Sequence, residues 1–160
     1  MGNGKGGIWA VAYETAKPLR KLLKQYMDVL YKSPTKLLYP ELSYQINGIL
    51  FSVFKEIGPG YREKHVQRAV ADAFRRAGLH FQEQFMVIMQ SNANVVGRYF
   101  LDFVIEGTIV LELKVAERFF RKDYEQVKYY LHQSKLGLGL VARFGRNGVK
   151  VERVVRPSQL

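Results

Sequence analysis

The sequence predicts an α/β domain, a mixed β-sheet flanked by helices. Three observations carry that expectation. Two segments, Glu41 to Ile57 and Tyr61 to Ala77, repeat apolar residues at helical spacing. The stretch from Phe81 to Val115 reads as a three-strand meander. A third helical segment, Asp123 to Lys135, is followed by two apolar strand segments. A meander, a helical crossover and two further strands imply a sheet of mixed direction with helices packed on it.

The first helix carries a stripe of Leu42, Ile46, Ile49, Leu50, Val53, Phe54 and Ile57, and Gly58-Pro59-Gly60 stops it. The second carries Val66, Ala69, Val70, Ala73, Phe74 and Ala77, with Gly78 as the residue just past its end. Glu63 falls on that apolar stripe rather than on the wet face of Arg62, Lys64, Arg68 and Arg75. It reads either as a first-turn acid favoured by the helix dipole or as a carboxylate delivered to the edge of the sheet. Phe81 to Met89 is a strand with Phe81, Glu83, Phe85, Val87 and Met89 on one face, and Ser91 to Asn94 is a turn. In the third helix Asp123 is the expected N-cap and Gly137 the closing residue. Val127 and Leu131 face the core, and Gln126 and Tyr130 are neighbours one turn apart. Leu138 to Phe144 is apolar enough for sheet core. Asn147-Gly148 then turns the chain into Val149 to Val155, and Pro157 starts a short tail.

Upstream, Met1 to Gly7 holds four glycines and is expected to be disordered. Pro18 to Tyr31 reads as a basic amphipathic helix whose apolar face packs on the domain rather than on a membrane. Residues 1–36 hold seven cations against two acids and form a basic N-terminal helical extension; residues 37–160 form the main domain.

The chain has 160 residues, 48% hydrophobic and 24% charged, which suits one globular domain. No apolar run is long enough to span a bilayer, and Ile8 to Tyr13 is too short for a signal-peptide core, so a cytoplasmic protein is expected. With no cysteine, disulfides, zinc–thiolate sites and cysteine-held iron–sulfur clusters are excluded. His65, His80 and His132 lack metal-ligand spacing and read as ordinary residues. The net charge of +11 favours a polyanionic partner, above all nucleic acid.

The chemistry concentrates in Asp102, Glu112 and Lys114, on two apolar strand segments around Glu106-Gly107. An unpaired buried carboxylate costs several kcal/mol, so Asp102 between Leu101 and Phe103 needs a partner. A two-residue loop would put Asp102 opposite Leu111 and send the two acids to opposite faces. A three-residue connection puts Asp102 opposite Glu112, and a type I turn closed by Gly107 in a G1 bulge supplies the extra residue. Two acids and a lysine so placed can hold a hard divalent cation and a phosphate oxygen beside it. Arg118, Arg121, Lys122 and Lys128 follow and are candidates to line a phosphate path. Tyr99, Phe119 and Phe120 are read as core in preference to base-stacking platforms.

From Glu41 to Arg156 the chain resembles the GxxExxY proteins, a branch of the PD-(D/E)XK nuclease superfamily with a restriction-endonuclease-like αβββαβ core. The resemblance rests on Gly60-Tyr61-Arg62-Glu63, Leu101-Asp102-Phe103, Glu112-Leu113-Lys114, Gln126 and Tyr130, and the strand from Gly137 to Gly145. It implies that Asp102, Glu112 and Glu63 ligate Mg²⁺, with Mn²⁺ as a substitute. It implies that Lys114 orients the attacking water or steadies the phosphate. Gln126 would belong to the catalytic set, and Tyr130 would contact nucleic acid together with Arg118, Arg121, Lys122 and Lys128. The activity implied is metal-dependent hydrolysis of phosphodiester bonds, with DNA expected ahead of RNA. The alternative is a catalytically silent module on the same fold that binds nucleic acid or a protein partner. Homo-oligomerisation is left open. Two positions depart from the pattern: Val66 stands where the family's name-giving tyrosine would be, and Leu101 stands where the superfamily name has Pro.

Overall fold

The computed structural model describes residues 38–156. The glycine-rich start, the basic helix expected over Pro18 to Tyr31 and the tail after Pro157 lie outside the described residues. The described chain runs α1 (Pro40–Ile57), α2 (Glu63–Arg76), β1 (Phe81–Ser91), β2 (Asn94–Ile105), β3 (Ile109–Val115), α3 (Arg121–Ser134), β4 (Leu138–Gly145) and β5 (Gly148–Val155). The five strands lie side by side in chain order. β1–β2, β2–β3 and β4–β5 pair antiparallel, and β3–β4, joined through α3, pair parallel. This is the mixed sheet expected, consistent with the restriction-endonuclease-like fold.

Register sorts the side chains into two layers. Phe103, Leu111, Leu140 and Phe144 share the face covered by α1 and α2, where Phe74 packs edge-on against Phe81 and Phe103 and Phe54 meets Phe144. Val104, Val110, Val141 and Val154 share the other face, against Val127, Tyr130 and Leu131 of α3. That face also carries Glu112, Lys114, Arg143, Lys150 and Glu152. Gly139 lets α3 lie close, since a methyl group there would overlap Val127 Cγ1.

The ends of α2 follow from local chemistry. Gly78 takes φ 70°, and Leu79 N–H and Gly78 N–H donate to the carbonyls of Phe74 and Arg75, a Schellman closure. Ala77 is exposed and Ala71 is buried in its stead.

Four local expectations are corrected. Asp123 is not the N-cap of α3: the helix begins at Arg121, and the Asp123 carboxylate reaches back to accept Phe120 N–H at 2.9 Å. An acid in the third helical position caps as well as one at the cap itself. The helix closes on Lys135 at φ 59°, two residues before Gly137. In β1 the alternation does not run unbroken, because Gln84 sits at φ 51° inside the strand. Phe81 therefore packs with Phe74 of α2, while Phe85 meets Tyr130 of α3. The fourth concerns the β2–β3 connection. It is three residues long, Ile105 pairing with Ile109, which meets the parity requirement. Positive φ falls on both Glu106 (49°) and Gly107 (61°), as in a type I′ turn, with Thr108 as the extra residue. Thr108 N–H closes the turn on Ile105 O at 3.0 Å.

Candidate active site

β2 follows β3 only as far as the Phe103–Leu111 pair. Beyond it the strands part, and the Asp102 side chain takes over from the ladder. Its Oδ2 accepts Leu113 N–H at 2.7 Å, and its Oδ1 accepts the Gln84 side-chain amide at 3.3 Å. Asp102 is 6% exposed and Glu112 2%. The Asp102 carboxylate thus ties β2 to β3, and its charge bears on Glu112 beside it. Lys114, two residues along the same face, donates from Nζ to Glu112 Oε1 at 2.7 Å. Glu63, first residue of α2, accepts Val115 N–H at 3.3 Å and lies 3.8 Å from Lys114 Nζ. Glu63 is both a first-turn acid of α2 and a carboxylate that reaches the end of β3. Asp102 and Glu112 thus come together directly, while Lys114 stands between Glu112 and Glu63.

The electrostatics follow from that crowding. Burial pushes the Asp102 carboxyl up to about 6, against the pull of the Leu113 N–H and Lys114, and the Glu63 charge adds to the rise. Burial and then the Asp102 charge push Glu112 up to about 7, against the attraction of Lys114. Burial alone would lower Lys114, but Glu112, Glu63 and Asp102 outweigh it and raise its affinity for a proton.

Divalent-cation chemistry fits these donors. Glu112 Oε2 is buried without a hydrogen-bond partner, a hard oxygen with a lone pair to spare. Mg²⁺ asks for only one or two carboxylates because it keeps several waters. Among the described residues no group of three His, Asp or Glu stands close enough to hold an ion, in keeping with Lys114 separating Glu63 from the other two acids.

In front of Lys114 opens a cleft of about 1140 Å³. Glu63 and Lys114 line it from one side, and Arg121, Lys122, Gln126 and Lys128 line it from α3. Gln126 donates its amide to Phe100 O at 3.3 Å. Arg121 and Lys128 flank Glu125 at 3.8 and 3.5 Å. Arg118 does not line the cleft; its guanidinium lies over the Phe120 ring, 5.1 Å from the centroid. Tyr130 is buried, its ring edge-on to Phe85, and the neighbouring Tyr129 faces the cleft instead. Tyr99, read as core, is 37% exposed and also lines the cleft, as does His132. Tyr129 was within reach of sequence reasoning: Lys122, Gln126 and Tyr129 share one side of α3, and Tyr129 reaches the cleft from there while its ring also packs against the core cluster and its hydroxyl accepts Gln90 N–H at 3.3 Å.

The model of the PD-(D/E)XK nuclease superfamily matches residues 40–155. No curated protein matches the chain. The solved structure of SSO0001 resembles it with a TM-score of 0.41 at 13% identity, covering 71% of this chain and 67% of that one.

Proposed function

Because the chain belongs to the PD-(D/E)XK nuclease superfamily, we propose that it is a metal-dependent nuclease that hydrolyses phosphodiester bonds, with DNA as its polymer and Mg²⁺ as its ion, replaceable by Mn²⁺. The observation that carries this reading is the pairing of buried Asp102 and Glu112 behind an exposed cleft, with one Glu112 oxygen unpartnered. The ion, when bound, makes a water easier to deprotonate and offsets charge gathering on the phosphate. Asp102 and Glu112 supply hard oxygens, Asp102 held by the Leu113 N–H and Glu112 by Lys114 Nζ. Lys114 presents its ammonium group at the mouth of the site, where it steadies a phosphate oxygen or orients the attacking water. Glu63 keeps that ammonium turned toward the cleft and is a further donor to the ion once Lys114 engages the substrate. Gln126 and the cations Arg121, Lys122 and Lys128 guide the strand from α3, Tyr129 adding a stacking surface. Arg118, over the exposed Phe120 ring, and Tyr130, edge-on to Phe85, lie outside the cleft lining.

Within the superfamily we read the chain as a GxxExxY protein. Gly60 and Glu63 stand at the motif's first two positions, and buried Val66 fills the third as packing. Residues 1–36 are taken as a basic extension and residues 37–160 as the nuclease domain. A chain with no cysteine, whose described helices are none of them long and apolar enough to cross a membrane, suits the cytoplasm.

A second reading, a silent nucleic-acid-binding or partner-binding module, draws on the contact of Lys114 Nζ with Glu112 Oε1, which places a cation where the ion would bind. Cleavage assays decide between them. Single- and double-stranded DNA and RNA are incubated with Mg²⁺ or Mn²⁺ and wild type, Glu112→Ala or Lys114→Ala. The nuclease reading expects cleavage by wild type and a fall of roughly 100-fold or more in each variant. Equal cleavage by all three, or binding without cleavage, contradicts it.

A further inference from the structure

A row of cations crosses the sheet on the α3 face. Lys114 of β3 pairs in register with Arg143 of β4, and Arg143 with Lys150 of β5. Lys114 is balanced by Glu112 and Glu63, whereas Arg143 and Lys150 stand opposite each other on antiparallel strands, where like charges repel. Arg143 is 7% exposed, stacks over Phe119 and donates Nη1 to Ala116 O at 2.8 Å. Its Nε is buried with no partner. The space for this guanidinium is reserved by Gly145, where a methyl group would overlap Nη1. At the β4–β5 turn Arg143, Arg146 and Lys150 converge on a pocket of about 320 Å³, faced by one acid, Glu117, which lies 3.5 Å from Arg146. Three cations against one acid leave the pocket net positive.

We propose that this pocket is a second phosphate site, which takes a backbone phosphodiester of the same nucleic-acid strand that the cleft receives. The inference rests on the nuclease reading for its substrate class. Lys114 and Lys150 are two strand spacings apart, roughly 10 Å. A strand crossing the sheet edge therefore meets the reaction centre at Lys114 and a positioning phosphate at Lys150.

The test measures binding of a 5′-labelled oligonucleotide by fluorescence anisotropy, with the full chain in EDTA, across a range of salt concentrations. Lys150→Gln is expected to weaken binding several-fold and to flatten the slope of log K against log salt by about one unit. Lys55→Gln, an exposed residue of α1 on the other side of the sheet, removes the same charge and is expected to leave slope and affinity near those of wild type. Gly145→Ala keeps the net charge while displacing the Arg143 guanidinium, and is expected to weaken binding as Lys150→Gln does. Equal effects of Lys150→Gln and Lys55→Gln, or an oligonucleotide that wild type does not bind, overturn the proposal. Cleavage is read separately: if Glu112→Ala abolishes cleavage while Lys150→Gln binds as wild type, the pocket alone falls. If wild type never cleaves but Lys150→Gln still loses affinity, the nuclease reading alone falls.

Discussion

Asp102 and Glu112 are carried at a cost. Two carboxyls whose folded pKa values stand at about 6 and about 7 hold protons that the unfolded chain, titrating near 4, has already released. Between about pH 4 and pH 7 the folded form binds more protons, so stability falls as pH rises through that window. Urea unfolding in EDTA is expected to show a lower midpoint at pH 8 than at pH 5.5. Millimolar Mg²⁺ is expected to restore the midpoint at pH 8 and to do little at pH 5.5, because an ion binds the deprotonated acids. In Glu112→Gln, which removes the acid with the larger rise, the pH dependence is expected to flatten. A midpoint in EDTA that rises from pH 5.5 to pH 8 would count against the burial and repulsion described for this pair. Gln84 belongs at this scale too. Its left-handed backbone inside β1 directs its amide to Asp102 Oδ1. Nothing about a glutamine in an alternating strand signals φ > 0, so this residue could not be read in advance.

At the scale of elements, the site depends on how two connections set facing and distance. The parity of the β2–β3 hairpin was legible because alternation allows only two outcomes and a buried acid makes one of them expensive. The kind of turn was not legible: Glu106 takes a positive φ that its residue type does not favour, and the Ile105–Ile109 pairing around it decides the matter. Helix existence was legible from apolar stripes, whereas the start of α3 was not, because an Asp can cap from the N-cap itself or reach back from the third helical position, as Asp123 does. Tyr130 shows the limit of a motif. The spacing from Gln126 names it, but the packing of Val127 and Leu131 turns it inward and gives the cleft to Tyr129. Tyr129→Ala is therefore expected to weaken oligonucleotide binding by roughly 1 to 3 kcal/mol if a base stacks there. Anisotropy with a matched Tyr44→Ala control, on exposed α1, checks it. Close approach of α3 to β4 rests on Gly139. Gly139→Ala is expected to cost about 1 to 3 kcal/mol in urea unfolding, and Val127→Ala in the same chain to return part of that loss. An unchanged midpoint in the single variant would show that α3 does not need that contact.

Across the whole molecule, the charge of +11 and the distribution of cations agree with one another. Arg121, Lys122 and Lys128 line the cleft, and Arg143, Arg146 and Lys150 line the second pocket. Nucleic-acid affinity is therefore expected to fall steeply with salt, with a log–log slope that reports the number of phosphates neutralised. Affinity that hardly changes with salt would contradict a backbone-tracking surface. Asp102 and Glu112 sit apart from these cations, buried beneath Lys114, and this separation of a binding surface from a reactive pair is what the nuclease account requires. The most direct test is a crystal of the protein soaked in millimolar Mn²⁺, with anomalous diffraction recorded. The account predicts a peak between the Asp102 and Glu112 carboxylates, with Lys114 Nζ displaced from Glu112 Oε1, and no such peak in Glu112→Gln. A wild-type map without density there, the Lys114–Glu112 contact intact, would contradict it.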